Sequence, residues 1–382
     1  MSSTKNNLPP EKKLDQLEKD ETTTKEWPFL ALKGFLMGSA DIVPGVSGGT
    51  MALITGIYER LLSAIKSVNA SSLKALVSLK FKLFFELFHW KFLVGLFAGI
   101  LSAVVFFTKI VPLQVYMFTQ PEMVYGLFFG LILGSIWILA KAIPKWSVAE
   151  AVSLIMGTVI GFWIVNLVPA ETPENAAFVF LSGMIAICAM ILPGISGSYL
   201  LLMLRKYEYV LSRISELGGD NTVQAFLDLV PFGLGAVAGI MLFSRFLSWF
   251  LAKYHNKTMA LLIGFLLGSL YVIWPYQERE YARINKVEIL QASPELRQAF
   301  TAQKLDTLKP KFSYLKKLND GRFERVEVKK KQLSVTPYNP IKQQIRGENG
   351  ILLVKGLGGI FLGLVLVVGI DKLRSSKSMN SK

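Results

Sequence analysis

The stretch that begins at Gly34, "GFLMGSADIVPGVSGGTMALITGIYERLLSAI", recurs without a gap 149 positions later as "GMIAICAMILPGISGSYLLLMLRKYEYVLSRI" from Gly183. Identities fall at Gly34/Gly183, Ala40/Ala189, Ile42/Ile191, Pro44/Pro193, Gly45/Gly194, Ser47/Ser196 and Gly48/Gly197. They continue through Tyr58/Tyr207, Glu59/Glu208, Ser63/Ser212 and Ile65/Ile214. Downstream runs pair as well: "GLFAGI" at Gly95 with "GAVAGI" at Gly235, "GLILGSI" at Gly130 with "GFLLGSL" at Gly264, and Gly157 and Gly161 with Gly359 and Gly363. The chain is an internal duplication, so a fold proposed for one half must also serve the other.

The repeated units are membrane material. Hydrophobic residues make up 52% of the 382 positions, charged residues 18%, and mean hydropathy is +0.43. A hydrocarbon core of about 30 Å takes about 20 apolar residues to cross. Runs of that kind start at Trp90, Met123, Ala151, Leu229, Met259 and Ile351. A soluble domain hides one such helix, not six, and the expected fold class is an all-α polytopic membrane protein. Residues 1–26 form a polar tail of mixed charge without the apolar core of a cleavable leader. The single cysteine, Cys188, lies in an apolar segment, which excludes an intrachain disulfide and points to packing. A net charge of +15 fits basic loops lying against anionic headgroups, and no nucleic-acid partner is expected.

Each half reads as a broken apolar pair followed by three spans. Repeat 1 covers residues 27–169, with a hairpin at 28–66 and spans at 91–110, 122–141 and 149–168. Repeat 2 covers 174–371, with a hairpin at 176–214 and spans at 230–252, 258–275 and 350–370. The arms of the broken pair are short, and Pro-Gly at the break removes a donor and permits a sharp turn. The expectation is a re-entrant helical hairpin in each half. One hairpin plus three crossings is an odd count, which makes the two repeats inverted, a recurrent transporter plan. With both termini cytoplasmic, Lys66, Lys74, Lys80, Lys82 and Lys91 fall inside, as do Lys141, Lys145, Lys253 and Lys257 and the tail at 372–382. The loop at 114–121, without Lys or Arg, falls outside. "LKFKLFFELFHWK" reads as an interfacial amphipathic helix. The basic insertion at 277–349 falls outside and is long enough to escape the charge rule. Its "RFERVEV" has the alternation of a strand.

A non-helical turn at membrane depth is tolerated only inside protein or beside a wet cavity. The turns supply backbone N–H groups, glycines that let a ligand approach, and hydroxyls at Ser47, Thr50, Ser196 and Ser198. Two such turns meeting near the bilayer centre make a pseudo-symmetric anion site. The plainer alternative is a pair of tight turns packed on close neighbours. Asp41, opposite Met190 in the repeat, either carries a coupling proton or ion or caps the first turn. Glu59 and Glu208 either titrate, bind a cation, or pair with Arg60 and Arg205 at the hairpin mouths. Arg205 stands where the first half has Gly56, and either attracts a phosphate or snorkels. Arg245 and Lys355 lie within spans, and Asn166 reaches either the site or a backbone carbonyl. Glycines four apart permit close helix packing. His89 and His255, the only histidines, sit near span ends; with no HExxH and no cysteine cluster, neither a metal site nor an enzyme is expected. "GVSGG" lacks the preceding strand of a nucleophile elbow.

The two break motifs, the long "GFLMGSADIVPGVSGGTMALITGIYERLLSAI" above all, resemble those of the polyprenyl-phosphate transporter family, also called undecaprenyl-phosphate translocases. The resemblance extends over about 28–275 and 350–371. It implies return of undecaprenyl phosphate from the outer to the cytoplasmic leaflet of the bacterial cytoplasmic (inner) membrane, which recycles the carrier for envelope synthesis. The reading of the turns places that phosphate among Pro44, Gly45, Ser47, Gly48, Gly49 and Thr50, with Pro193, Gly194, Ser196, Gly197 and Ser198, and with Arg205 and Arg245 as cationic candidates; Arg205, where a glycine would suit the motif, departs from the family's pattern. Asp41, Glu59 and Glu208 are the coupling candidates. No cofactor is implied beyond coupling to protons or sodium, and the sequence leaves the oligomeric state open. The rival reading is an ion-coupled transporter of a small soluble anion.

Overall fold

The computed structural model describes residues 20, 22–43, 45–68, 70–167, 172–219, 222–291, 294, 298, 300–301, 311–317, 323–338 and 350–380. The first hairpin consists of α1 (Trp27–Asp41), α2 (Gly48–Ile54) and α3 (Tyr58–Lys66). Two short helices follow, α4 (Ala70–Val77) and α5 (Phe81–Leu87), the latter on the amphipathic "LKFKLFFELFHWK" stretch. Then come α6 (Trp90–Val105, continued by a π-turn at Phe106–Ile110), α7 (Leu113–Thr119), α8 (Pro121–Ala142) and α9 (Val148–Val165). The second hairpin is α10 (Ala176–Ile191), α11 (Gly197–Met203) and α12 (Lys206–Glu216), followed by α13 (Thr222–Lys253), α14 (His255–Ser269) and α15 (Gly350–Asn380).

Local sequence explains where the helices start. Pro28 occupies the first turn of α1, where its missing N–H costs nothing. Ser147 and Glu150 form a capping box on α9. The Asn175 side chain accepts from the Phe178 amide at 2.8 Å at the head of α10. Among the described residues, five helices are long and apolar enough to cross a membrane: Trp90–Ile110, Pro121–Ala142, Val148–Val165, Thr222–Lys253 and Leu352–Lys372. Exposed large apolar residues, such as Val152, Ile155, Val159 and Phe162 along α9, give these helices faces suited to lipid. The protein is a mostly helical, multi-pass membrane protein.

Three boundaries differ from expectation. The span expected at 258–275 is helical only as α14, the 15 residues His255–Ser269, and 270–273 are in turns. The span expected from 230 starts at Thr222. The last helix continues to Asn380, through most of the stretch expected to be a tail. The insertion departs from an all-α description: β1 (Gln277–Leu290), β2 (Lys311–Lys317) and β3 (Phe323–Pro337) form an antiparallel sheet in the order β1-β3-β2. "RFERVEV" falls mostly in β3, whose register runs from Gln277↔Pro337 to Leu290↔Phe323 on one side and from Lys311↔Lys329 to Lys317↔Phe323 on the other. Phe323, Val326 and Leu315 are buried. The tail at 1–19 lies outside the described residues.

Contacts divide the chain into two compact units, residues 1–106, 132–271 and 366–382 in one, and 107–131 and 272–365 in the other. In the first unit, glycines bring three helix pairs into backbone contact. On α1 and α6, a Cβ added at Gly34 would stand 2.1 Å from the Leu96 carbonyl, and one at Gly99 would stand 2.0 Å from that of Ala31. On α10 and α13, Gly183 faces Phe232 at 2.2 Å and Gly235 faces Phe180 at 1.9 Å by the same measure. On α9 and α14, Gly157 faces Leu261 at 2.2 Å and Gly264 faces Leu154 at 2.3 Å. Within the second unit, Gly130 of α8 faces Ile360 of α15 at 2.1 Å, and Gly363 faces Leu127 at 2.2 Å. No side chain fits such gaps, which is why these positions are glycine. Successive glycines advance along the partner helix, Gly34 to Leu96 and Gly38 to Ile100, Gly235 to Phe180 and Gly239 to Met184, Gly157 to Leu261 and Gly161 to Phe265, Gly126 to Gly356 and Gly130 to Ile360, so the paired helices run parallel.

The contacts also correct the repeat register. Ala31 and Phe180 are mates 149 apart; Ala31 meets Gly99, and Phe180 meets Gly235. Gly235 therefore corresponds to Gly99 and not to Gly95, one helical turn away from the match of "GLFAGI" with "GAVAGI".

Candidate functional site

The two breaks meet. The Gly194 amide donates to Thr50 Oγ1 at 2.9 Å, the Tyr58 hydroxyl donates to the Ile191 carbonyl at 2.9 Å, and Ser47 Oγ lies 3.4 Å from the Leu192 carbonyl. A Cβ on Gly49 would stand 3.0 Å from the Ile191 carbonyl. The last carbonyls of α10, which lack intrahelical partners, are thus satisfied by side chains of the first hairpin. Opposite ends of two helices abut, the start of α2 against the end of α10. Val46, Ile195, Thr50 and Tyr58 are all buried at this joint.

The backbone repeats across the breaks down to its dihedrals. Gly45 and Gly194 have φ of 87° and 81°, and Gly56 and Arg205 have φ of 71° and 51°. Gly194 needs its residue type twice over, since a Cβ there would also stand 2.9 Å from the Phe265 carbonyl of α14. Arg205 holds a left-handed conformation that costs an L-residue about 1–2 kcal/mol.

The side chains break the symmetry. Asp41 Oδ1 accepts from the Gly48 amide at 2.6 Å, so the first break carries its own anion where a ligand would sit. Ser47 Oγ caps α2 by accepting from the Gly49 amide at 3.2 Å. Ser47, Gly48, Gly49 and Thr50 are buried and engaged inside the protein. At the second break Asp41 is replaced by Met190, which is 50% exposed. Here the Ser196 and Ser198 hydroxyls lie 2.9 Å apart, with Ser198 exposed. Of the expected ligand hydroxyls, this pair alone is turned outward. Gly197 is buried against the Ala186 carbonyl, and Pro193 is buried as well. Pro44 lies outside the described residues.

The charged candidates are dispersed. Arg245 Nη1 donates to the Met241 carbonyl of its own helix at 2.5 Å. Asn166 does the same to Phe162 at 2.7 Å. Glu59 is exposed, 3.5 Å from His255 Nδ1, and its expected partner Arg60 pairs with Glu26 at 2.9 Å. Glu208 and Arg205 are exposed. Among the described residues no His, Cys, Asp and Glu cluster of metal-binding geometry occurs.

Sequence reasoning missed Lys206. Its side chain is 1% exposed, with Nζ 3.3 Å from the Thr172 carbonyl and over the rings of Phe178 and Tyr209 at 5.6 and 5.7 Å. Thr172 in turn donates its hydroxyl to the Leu204 carbonyl at 2.5 Å. The first hairpin has a counterpart: Arg60 donates to Thr22 Oγ1 at 2.7 Å and to Glu26, and its guanidinium lies 5.1 Å from the Phe92 ring. In both halves a cation after the break holds the segment leading into the hairpin. The signal in the sequence was a lysine aligned with Ile57.

The profile of the undecaprenyl phosphate translocase-like (VCA0040-like) family matches residues 37–290, which contain both breaks. A polyprenyl-phosphate transporter of Vibrio cholerae serotype O1 (strain ATCC 39315 / El Tor Inaba N16961) is 40% identical over 254 residues, 66% of this chain and 80% of that protein. A polyprenyl-phosphate transporter of Staphylococcus aureus (strain NCTC 8325 / PS 47) is 32% identical over 258 residues, 64% of this chain and 85% of that protein. No solved structure matches the chain. With both breaks and their joint inside the matched region, the chain belongs to the undecaprenyl phosphate translocase-like family.

Proposed function

We propose that this chain carries a polyprenyl phosphate across the bacterial cytoplasmic membrane, returning undecaprenyl phosphate from the outer to the cytoplasmic leaflet for reuse in envelope synthesis. The family is named for transport and not for catalysis. The observation that carries the reading is the joint between the two breaks, where hairpin turns of both repeats bond to each other and one of them turns a hydroxyl pair outward. The phosphate docks at the Ser196 and Ser198 hydroxyls. Ser47 and Thr50 act from behind, by fixing the turn that presents them.

Helix direction supports inverted repeats. Had the first hairpin crossed the bilayer, α6 would run against α1, and it runs with it. The same reasoning applies to α10 and α13. With each hairpin returning to the side it left, α13 runs opposite to α6, and α14, completed by the apolar turn after it, runs with α9. The first hairpin then opens to the cytoplasm and the second to the outside, both termini being cytoplasmic. The lysines of α3 to α6 lie on the inner side in this scheme.

Asp41 takes the coupling role, for protons or sodium. It is an exposed acid at the joint whose carboxylate holds the first turn together through Gly48. Discharging it loosens that turn.

The test is purified protein in liposomes with undecaprenyl phosphate in one leaflet, following headgroup accessibility from the other. Wild type equilibrates the lipid, and Ser196→Ala/Ser198→Ala slows this by about tenfold or more, the expectation for losing two hydrogen bonds to a charged group. Asp41→Asn, which keeps an oxygen for Gly48, transports without responding to imposed proton or sodium gradients. No lipid movement by wild type under either gradient overturns the reading in favour of a soluble anion.

A further inference from the structure

Beside the second break, the surfaces of α10 and α13 part to leave a cavity of about 470 Å³, with Ile164 of α9 and Leu200 of α11 at its margins. Its wall includes Met184, Cys188, Leu192, Ile195, Leu242 and Phe246, and no residue lining it carries a charged or hydroxyl side chain. The size is that of a small-molecule pocket, about 300–1,000 Å³. Leu242 and Phe246 are 65% and 56% exposed, so the cavity is open along the face of α13.

Two observations make this more than a crevice between helices. First, Leu192 and Ile195 bracket the Pro193–Gly194 turn, and the Leu192 carbonyl is the one Ser47 approaches. The wall of the cavity and the turn at the joint are the same few residues. Second, the duplicated position in the other repeat is closed. Met184 corresponds to Phe35, and Leu242, in the register set by the helix contacts, corresponds to Phe106. Those two rings meet edge to face at 5.6 Å between centroids. The chain has filled the groove in one half with aromatic rings and left it empty in the other. The open groove lies in the half whose turn exposes Ser196 and Ser198 and lacks an internal carboxylate.

Resting on the function proposed above, we infer that this groove holds the first isoprenoid units of the lipid, those next to the phosphate, while the remainder of the chain stays in the bilayer. The occupant has to be apolar, because the walls offer it no hydrogen bond. It has to be joined to a polar head, because the groove ends at the turn. A branched, unsaturated chain suits walls of methionine, leucine and phenylalanine, whose flexible and aromatic side chains adapt to methyl branches and double bonds. Cation–π or ionic anchoring has no part in it. Selection among lipid phosphates then comes from the tail as well as the head.

Cys188, the single cysteine of the chain, reports on the groove from within. In detergent-purified full-length protein, its rate of modification by N-ethylmaleimide is measured with undecaprenyl phosphate, dioleoyl phosphatidic acid or inorganic phosphate present. Undecaprenyl phosphate is expected to slow modification by about tenfold when bound at ten times its dissociation constant, with the other two leaving it unchanged. In parallel, Leu242→Trp, which fills the open side, weakens undecaprenyl phosphate binding by about tenfold or more, the loss for two displaced methylene equivalents. Affinity for isopentenyl phosphate, which has one isoprenoid unit, falls less. Equal protection by phosphatidic acid overturns the isoprenoid assignment and leaves a general lipid crevice. Undecaprenyl phosphate that binds and is transported without protecting Cys188 overturns the groove while leaving the transport function standing. Wild type that neither binds nor moves undecaprenyl phosphate removes the function itself, and the groove proposal with it.

Discussion

Arg205 shows how far the two halves remain copies of one backbone. Its φ of 51° is close to the 71° of Gly56, its mate, although only glycine takes that conformation freely. The backbone there has been kept while the side chain changed. Arg205→Gly is therefore expected to raise stability by about 1 kcal/mol, through release of the left-handed strain less the entropy that glycine adds to the unfolded chain. Thermal unfolding in detergent, measured beside wild type, checks this. Much at this scale was legible in the sequence, since Pro-Gly-x-Ser-Gly occurs twice and glycine in a turn implies a positive φ. What letters do not convey is which donors are already taken. Ser47 and Ser196 are identical in the alignment, yet one is a buried cap and the other belongs to an outward pair. The difference follows from Asp41 facing Met190, and from a tertiary contact, Thr50 with Gly194, between residues 144 apart.

Among the elements, the faces used for close helix packing were legible and their register was not. Glycines four apart mark a face for close packing, but a face that repeats every turn looks the same when shifted by one turn. "GLFAGI" and "GAVAGI" match best in letters, whereas the backbone contacts place Gly99, not Gly95, opposite Gly235. Partners of the later spans were also hidden, because the spacing of glycines carries no address. In the parallel pair α9 and α14, Gly157, Gly264 and Gly268 all touch backbone across the interface. Gly264→Leu places its Cβ 2.3 Å from the Leu154 carbonyl and cannot be absorbed by a side-chain rotation. The expected outcome is loss of the monodisperse folded species on size-exclusion chromatography. Gly233→Leu, on α13 with open space around its Cβ position, leaves that species intact.

For the molecule as a whole, composition announced a membrane protein and the duplication announced its matching breaks, while the sheet in the insertion was visible only as one alternating run. The pairing of spans has a consequence for how the protein is made. The second span of each half, α8 or α14, packs on the third span of the other half, α15 or α9. A ribosome that has delivered residues 1–169 has inserted α8 and α9 without either of their partners, and those glycine faces wait in lipid until the rest is synthesised. Neither half is a self-sufficient folding unit, in contrast to a tandem of two independent domains. Genes for residues 1–169 and 170–382, expressed separately, are expected to give degraded fragments. Expressed together, they assemble into a complex that copurifies through a tag on either piece. Stable accumulation of one fragment alone would count against this order of assembly. The ancestor of such a chain, before its two halves were joined, could have completed these helix pairs only as a pair of molecules.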